Sequence, residues 1–225
     1  AHVSCLAEQA KILMDEAEYN NLGDKAFGSR WARWYTCSLC EQEYHGVVYC
    51  ALGWACWKTY LGRPETAGVR MSAMRQLGLG LCAAGHYEDA LSVNEADLAT
   101  LRRIGAPEVN ILDVQGNLSI NYEKLGRLED ALRLKRDVYS GSMKLSGEEH
   151  QTTLIAASNY ATSLLGLKLF EEAKALLRKT LPVARRVLGD GHDTTLRART
   201  IYAVALCQDD AATLDDLHKA VTTLE

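Results

Sequence analysis

Gly147-Glu148-Glu149-His150-Gln151-Thr152-Thr153-Leu154 returns 42 residues later as Gly189-Asp190-Gly191-His192-Asp193-Thr194-Thr195-Leu196, with glycine, histidine, both threonines and leucine in register. Working outward, the same spacing holds on either side. Asn159-Tyr160-Ala161 leads to Phe170-Glu171-Glu172-Ala173, and one period earlier Asn117-Leu118-Ser119 leads to Gly126-Arg127-Leu128-Glu129-Asp130-Ala131. Earlier still, Gln76-Leu77-Gly78 leads to Gly85-His86-Tyr87-Glu88-Asp89-Ala90. Gly46 with Ala51 repeats the Gly-to-Ala step, and Tyr202-Ala203 echoes Tyr160-Ala161, so the alanines at 51, 90, 131 and 173 stand 39, 41 and 42 residues apart. Self-similarity at a fixed period of this size marks a repeat array.

Each period reads as two helices. Leu154, Ala157, Ala161 and Leu164 lie at helical spacing on a first helix (A), and Ala173, Leu176, Leu177 and Leu181 on a second (B). Acidic pairs open the B helices, where the helix dipole favours anions. The small residue at 90, 131 and 173 is expected where A and B approach closely, since a larger side chain there would overpack the seam. Thr152/Thr153 and Thr194/Thr195 are expected to cap or order the helix starts. Strand signals are missing, so the expected class is an all-α solenoid of antiparallel helix pairs. Its expected organisation is a capping helix in 1–27, a divergent Cys/Trp-rich helical hairpin in 28–64, and repeats over 65–106, 107–148, 149–190 and, in part, 191–225. Asp209-Asp210-Ala211-Ala212 makes the last repeat irregular, and its B helix runs out at Glu225. The chain opens on Ala1 rather than Met, as a piece of a longer protein would.

Composition narrows function. The 225 residues carry 48% apolar and 24% charged side chains, enough for a buried core. A net charge of -4 provides no field for nucleic acid or anionic lipid, and no apolar run suits a bilayer. Seven scattered cysteines are no disulfide framework and fit a reducing, cytoplasmic setting. Val3 to Ala17 alternates apolar and charged residues as an amphipathic helix that would cover one end of the array.

Leu77-Gly78, Gly85, Tyr87 and Ala90 form the pattern Leu-Gly-x6-Gly-x-Tyr-x-x-Ala, which resembles the tetratricopeptide repeat. The longer period with Leu188-Gly189-x-x-His192-x-x-Thr195-Leu196 is similar to the kinesin light chain variety, although Asp193 stands where proline commonly follows the histidine. The resemblance covers about residues 65–208. It implies a right-handed superhelix with A helices lining a concave face, and peptide or protein binding there without catalysis. It also implies a ladder of amides reading the backbone of an extended peptide. The equivalent positions, fourteen before each register alanine, are Gln76, Asn117 and Asn159. An amide supplies both donor and acceptor, so it can read a peptide bond whatever the side chain. Ile120, Lys124 and Thr162 share the inner stripe by helical spacing. Alternatively, the amides satisfy the scaffold itself.

Residues 31–62 hold all four tryptophans. Cys37, Cys40, His45 and Cys50 fall at C-x2-C-x4-H-x4-C, a zinc-knuckle spacing with ligand types that suit tetrahedral zinc. Against this, Tyr44 precedes the histidine where a knuckle usually has glycine, and Gly46 and Ala51 already belong to the repeat. The preferred expectation is packed helices without a cofactor, with Cys37 and Cys40 as i, i+3 neighbours and Cys50, Trp54 and Trp57 on one buried face.

His150 and His192 have acids nearby, but recurrence at the repeat period points to a linker, because a catalytic group is needed once. Cys5, Cys82 and Cys207 are expected in the core. Arg102-Arg103 and Arg185-Arg186 are expected as cations at B-helix ends. The chain is therefore expected to be a non-catalytic adaptor, monomeric, binding a peptide or protein and neither nucleic acid nor membrane. A zinc module on a helical spacer and a self-assembling scaffold are the alternatives.

Overall fold

A computed structural model describes residues 2–209 and 212–224; Ala1, Asp210, Ala211 and Glu225, and with them part of the expected irregular junction and the chain end, lie outside the described residues. The chain divides into two compact units, Ala1–Leu125 and Gly126–Glu225. The first contains α1 (Val3–Tyr19), α2 (Asp24–Trp31), a 3-10 turn (Ala32–Trp34), α3 (Gly46–Tyr60), α4 (Gly68–Ala83), α5 (Tyr87–Arg103) and α6 (Glu108–Lys124). The second contains α7 (Leu128–Ser146), α8 (Gln151–Gly166), α9 (Phe170–Leu188), α10 (Asp193–Gln208) and α11 (Leu214–Leu224). Among the described residues the only extended pairing is an isolated antiparallel bridge between Thr36 and Glu43. The fold is all-α, as the sequence implies. No described helix is long and apolar enough to cross a membrane.

Within each unit, helices pack on their sequence neighbours, and A helices also touch the next A helix: α4 meets α6, and α8 meets α10. That alternation is what stacked hairpins produce. The A-to-B turns explain the repeated Gly126 position. Gly85 (φ 83°) and Gly126 (φ 75°) take left-handed backbone there, and Lys168 (φ 58°) takes it in the next repeat without a glycine. Two of these turns close with a pair of bonds. His86 N–H donates to the Leu81 carbonyl and Gly85 N–H to that of Cys82; Leu169 N–H donates to the Leu164 carbonyl and Lys168 N–H to that of Leu165. These are the paired bonds that satisfy a helix C-terminus.

Three of the four register alanines are buried as spacing predicts, and Ala51 of α3 is half-buried. Ala90, Ala131 and Ala173 are fully buried. Ala90 packs with Leu77 and Leu81 in the first unit, and Ala173 with Leu164 and Ala205 in the second. A neighbouring cluster joins Ala161, Leu177, Leu181, Ala198 and Ile201 across three helices. Each fully buried leucine contributes about 1.5–3 kcal/mol relative to exposure.

The linker motif caps helices through histidine rather than threonine. His150 Nδ1 accepts the Thr152 N–H (3.3 Å) at the start of α8, and His192 Nδ1 accepts the Thr194 N–H (3.1 Å) at the start of α10. The imidazole thus satisfies one of the free donors at a helix start. Thr195 instead donates to the Ala184 carbonyl of α9 (3.4 Å). The B-helix arginines pair with linkers: Arg103 with Glu65 (2.6 Å), Arg185 with Asp190 (2.5 Å) and Arg186 with Glu149 (2.9 Å).

The Cys/Trp segment departs from the expected hairpin of two helices. Only α3 is a long helix there; before it come the end of α2, the 3-10 turn and a bridged loop. Cys37 and Cys40 lie in that loop, not on a helix, because Thr36 and Glu43 close it across the chain. The buried face of α3 is Leu52, Gly53, Cys56 and Tyr60, while Trp54 is exposed. The aromatic core comes instead from the short turn: Trp34 is fully buried and meets the Tyr60 ring edge-on at 6.1 Å. Ala10 of α1 closes that cluster with Cys56 and Ala73. Cys5 and Cys207 are exposed rather than in the core, and Cys82 is half-buried beside Leu77 and Leu81.

Candidate functional site

The amide positions fall on A helices, Gln76 on α4, Asn117 on α6 and Asn159 on α8, and their surroundings differ. Gln76 is buried; its Nε2 makes no hydrogen bond of good geometry, and the Tyr49 hydroxyl lies beside it. Burial pushes the Tyr49 phenol up to about 12, with the Gln76 amide opposing that rise. Both line a cavity of about 490 Å³ in the first unit, together with Trp31, Tyr35, Glu43 and Arg75. Asn117 is half-buried. Asn159 is also half-buried, and its Oδ1 already accepts from Arg197 Nη2 (2.9 Å). Its amide N–H groups are what it can still offer an acceptor.

The stripe residues are solvent-facing: Ile120, Lys124 and Thr162 are all exposed, and Thr162 Oγ1 donates back to the Ser158 carbonyl (2.9 Å). Lys124 stands near enough to Cys82 to oppose the rise that burial imposes on that thiol. Gln76 and Asn117 belong to the first unit and Asn159 to the second.

Sequence reading missed a pair of cross-links between successive A helices. In the first unit Arg75 Nη1, one residue before Gln76, approaches Asp113 Oδ2 on α6 at 3.6 Å. In the second, Arg197 of α10 donates from Nε to Ser158 Oγ (3.0 Å), one residue before Asn159, as well as to Asn159 itself. Asp113 and Arg197 occupy the same register position, four before the amide position of their repeat. The cation sits on the earlier helix in one unit and on the later helix in the other. Period alone could have located these positions, but the reversed charge hides their equivalence from any search for identical residues.

Behind Arg75, Asp97 of α5 is buried with no hydrogen-bond partner on either carboxylate oxygen. Burial raises its carboxyl to about 6, against the pull of Arg75. The candidate zinc ligands do not converge. Cys50 packs on the Leu77/Leu81/Ala90 cluster and Cys37 lies in the bridged loop, and among the described residues no three His, Cys, Asp or Glu side chains are grouped to hold a metal. The loop donors therefore do not fit a closed tetrahedral site.

Comparison with known proteins agrees with the fold. Residues 153–193 match the family model of the tetratricopeptide repeat. The fold is that of a tetratricopeptide-repeat array. A Podosopora anserina protein described as a putative kinesin light chain with nearly identical tetratricopeptide-like repeats has 16% identity and a TM-score of 0.65, over 99% of this chain and 94% of that one. A singly substituted form of that protein gives 17% and 0.63, over 99% and 96%. BtubC (BKLC) from P. vanneervenii gives 16% and 0.56, over 78% and 80%. No curated protein matches in sequence. Tetratricopeptide arrays are protein-interaction scaffolds and in general carry no catalysis.

Proposed function

We propose that this array is a non-catalytic adaptor, acting as a monomer without a cofactor in a reducing compartment such as the cytoplasm, that holds an extended polypeptide along the faces of its A helices. The observation that carries the reading is the recurrence of an amide-bearing residue at one register position on α4, α6 and α8. Unspent hydrogen-bonding capacity at that position supports it, most clearly in the buried Gln76 beside its cavity. Backbone hydrogen bonds to such amides would give affinity, and Ile120, Lys124 and Thr162 would tune side-chain preference.

Binding of recovered partners to the wild type and to the Asn117→Ala/Asn159→Ala double variant tests this. Loss of about tenfold or more in affinity, with helicity unchanged and the unfolding midpoint lowered only by the lost Arg197–Asn159 bond, is expected from two backbone hydrogen bonds of about 1 kcal/mol each. Unchanged binding of every partner would end the assignment.

A further inference from the structure

The loop leading into α3 carries chemistry that peptide binding does not use. The Thr36–Glu43 bridge closes residues 37–42 into a small loop. Cys37 ties it together: its N–H donates to the Gln42 carbonyl (2.9 Å), and its carbonyl accepts the Glu41 N–H (3.1 Å) and Arg33 Nη1 (3.2 Å). Ser38, Leu39 and Cys40 make the turn, and Glu41 leaves it with a left-handed φ of 59°. The Glu41-to-Cys37 bond closes a single i-to-i+4 turn, and in one helical turn residues i and i+3 stand about 5–6 Å apart. A disulfide spans about 4.4–6.8 Å between Cα atoms. The Cys40 thiol lies close enough to Cys37 Sγ to help lower it. Cys37 Sγ accepts the Leu39 N–H (3.4 Å), inside the turn that also carries Cys40. Cys40 is exposed and Cys37 half-buried, so a small molecule can reach the pair.

We propose that Cys37 and Cys40 form a dithiol site that is reversibly oxidised by low-molecular-weight disulfides. In the first step the Cys37 thiolate attacks one sulfur of the disulfide, forming a mixed disulfide and expelling one small thiolate. In the second, Cys40 loses its proton and attacks Cys37 Sγ, forming the Cys37–Cys40 disulfide and expelling the other small thiolate. The two protein protons end on the two released thiols, so two protein thiols are oxidised and one small disulfide is reduced.

The backbone N–H groups of Cys40 and Leu39, with the Cys40 thiol, hold the Cys37 thiol down to about 7, which suits an attacking group near neutral pH. Other cysteines serve as internal controls: Cys5 and Cys207, on α1 and α10, are more exposed than Cys37, and burial pushes Cys56 up. A disulfide across two intervening residues in an exposed turn belongs to the labile kind that cellular thiols reverse. This site is independent of the groove reading.

The test treats the full chain with glutathione disulfide at pH 7 and maps products by mass spectrometry. The wild type is expected to lose two hydrogens within the peptide bearing Cys37 and Cys40, without a retained adduct, and to recover them with glutathione. Cys40→Ser is expected to stop at a mixed disulfide on Cys37, formed about threefold faster than on Cys5 or Cys207. The lowered Cys37 thiol is ionised more often near neutral pH, and part of that advantage is offset by weaker nucleophilicity. Cys37→Ser, with helicity confirmed unchanged, is expected to show neither product. Adducts spread evenly over the exposed cysteines, or no trapped species in Cys40→Ser, would overturn the proposal. So would purified protein carrying about one equivalent of zinc that shields both thiols until it is chelated.

Discussion

His192 shows how a single side chain can look catalytic and be structural. It recurs with His150 among acids, yet both imidazoles spend Nδ1 on a backbone N–H at a helix start. Replacing His192 with alanine should cost about 1 kcal/mol, read from urea unfolding, whereas asparagine, a good cap, should recover most of it. Asp97 is the opposite case, a residue that sequence leaves unremarked and burial makes consequential. Its folded carboxyl titrates near 6, above the unfolded value, so it binds its proton more tightly when folded. Its stabilising contribution is therefore whole below about pH 4 and is lost as the pH rises through about 6, amounting to about 2–3 kcal/mol. Asp97→Asn should accordingly be more stable than wild type at pH 7, with the difference vanishing below about pH 4 in parallel unfolding curves.

At the scale of helices, glycine separates what pattern reveals from what contact decides. Leu77-Gly78-Leu79-Gly80-Leu81 reads as an A helix with poor propensity, and nothing in its spacing says why. The reason is the close crossing of α3 and α4. A Cβ on Gly80 would lie 2.9 Å from the Tyr49 carbonyl oxygen, and one on Gly53 would lie 3.0 Å from that of Gln76. Both clashes are with backbone, which cannot swing aside. Gly80→Ala should therefore lose about 1–3 kcal/mol from overpacking. Gly116, inside α6, meets nothing within 4 Å, so Gly116→Ala should gain about 0.5–1 kcal/mol. Thermal and urea unfolding of the two variants should move in opposite directions. The same distinction governs the tryptophans. Their clustering was legible, but only packing selects Trp34 for the core and leaves Trp54 outside.

On the scale of the molecule, stability should be local, because each hairpin buries its surface against its sequence neighbours. Leu177 is fully buried in the second unit among Ala161, Leu181, Ala198 and Ile201. Leu177→Ala should cost about 2–5 kcal/mol. Hydrogen exchange should show that loss in α8, α9 and α10 while amides of α4 and α5 keep their protection. Uniform loss across both units would contradict a nearest-neighbour array. The sequence by itself determined the helical class, the period and the register, down to Ala90, Ala131 and Ala173, since burial recurring at fixed spacing leaves its imprint in one dimension. It also placed Gln76, Asn117 and Asn159 at equivalent points. Only tertiary structure decided that Arg197 engages Asn159, that Gln76 faces a cavity, that histidine does the capping, and that Cys37 and Cys40 share one bridged turn. Those outcomes depend on distances between residues far apart in sequence, or on local backbone closure, and neither leaves a period to read.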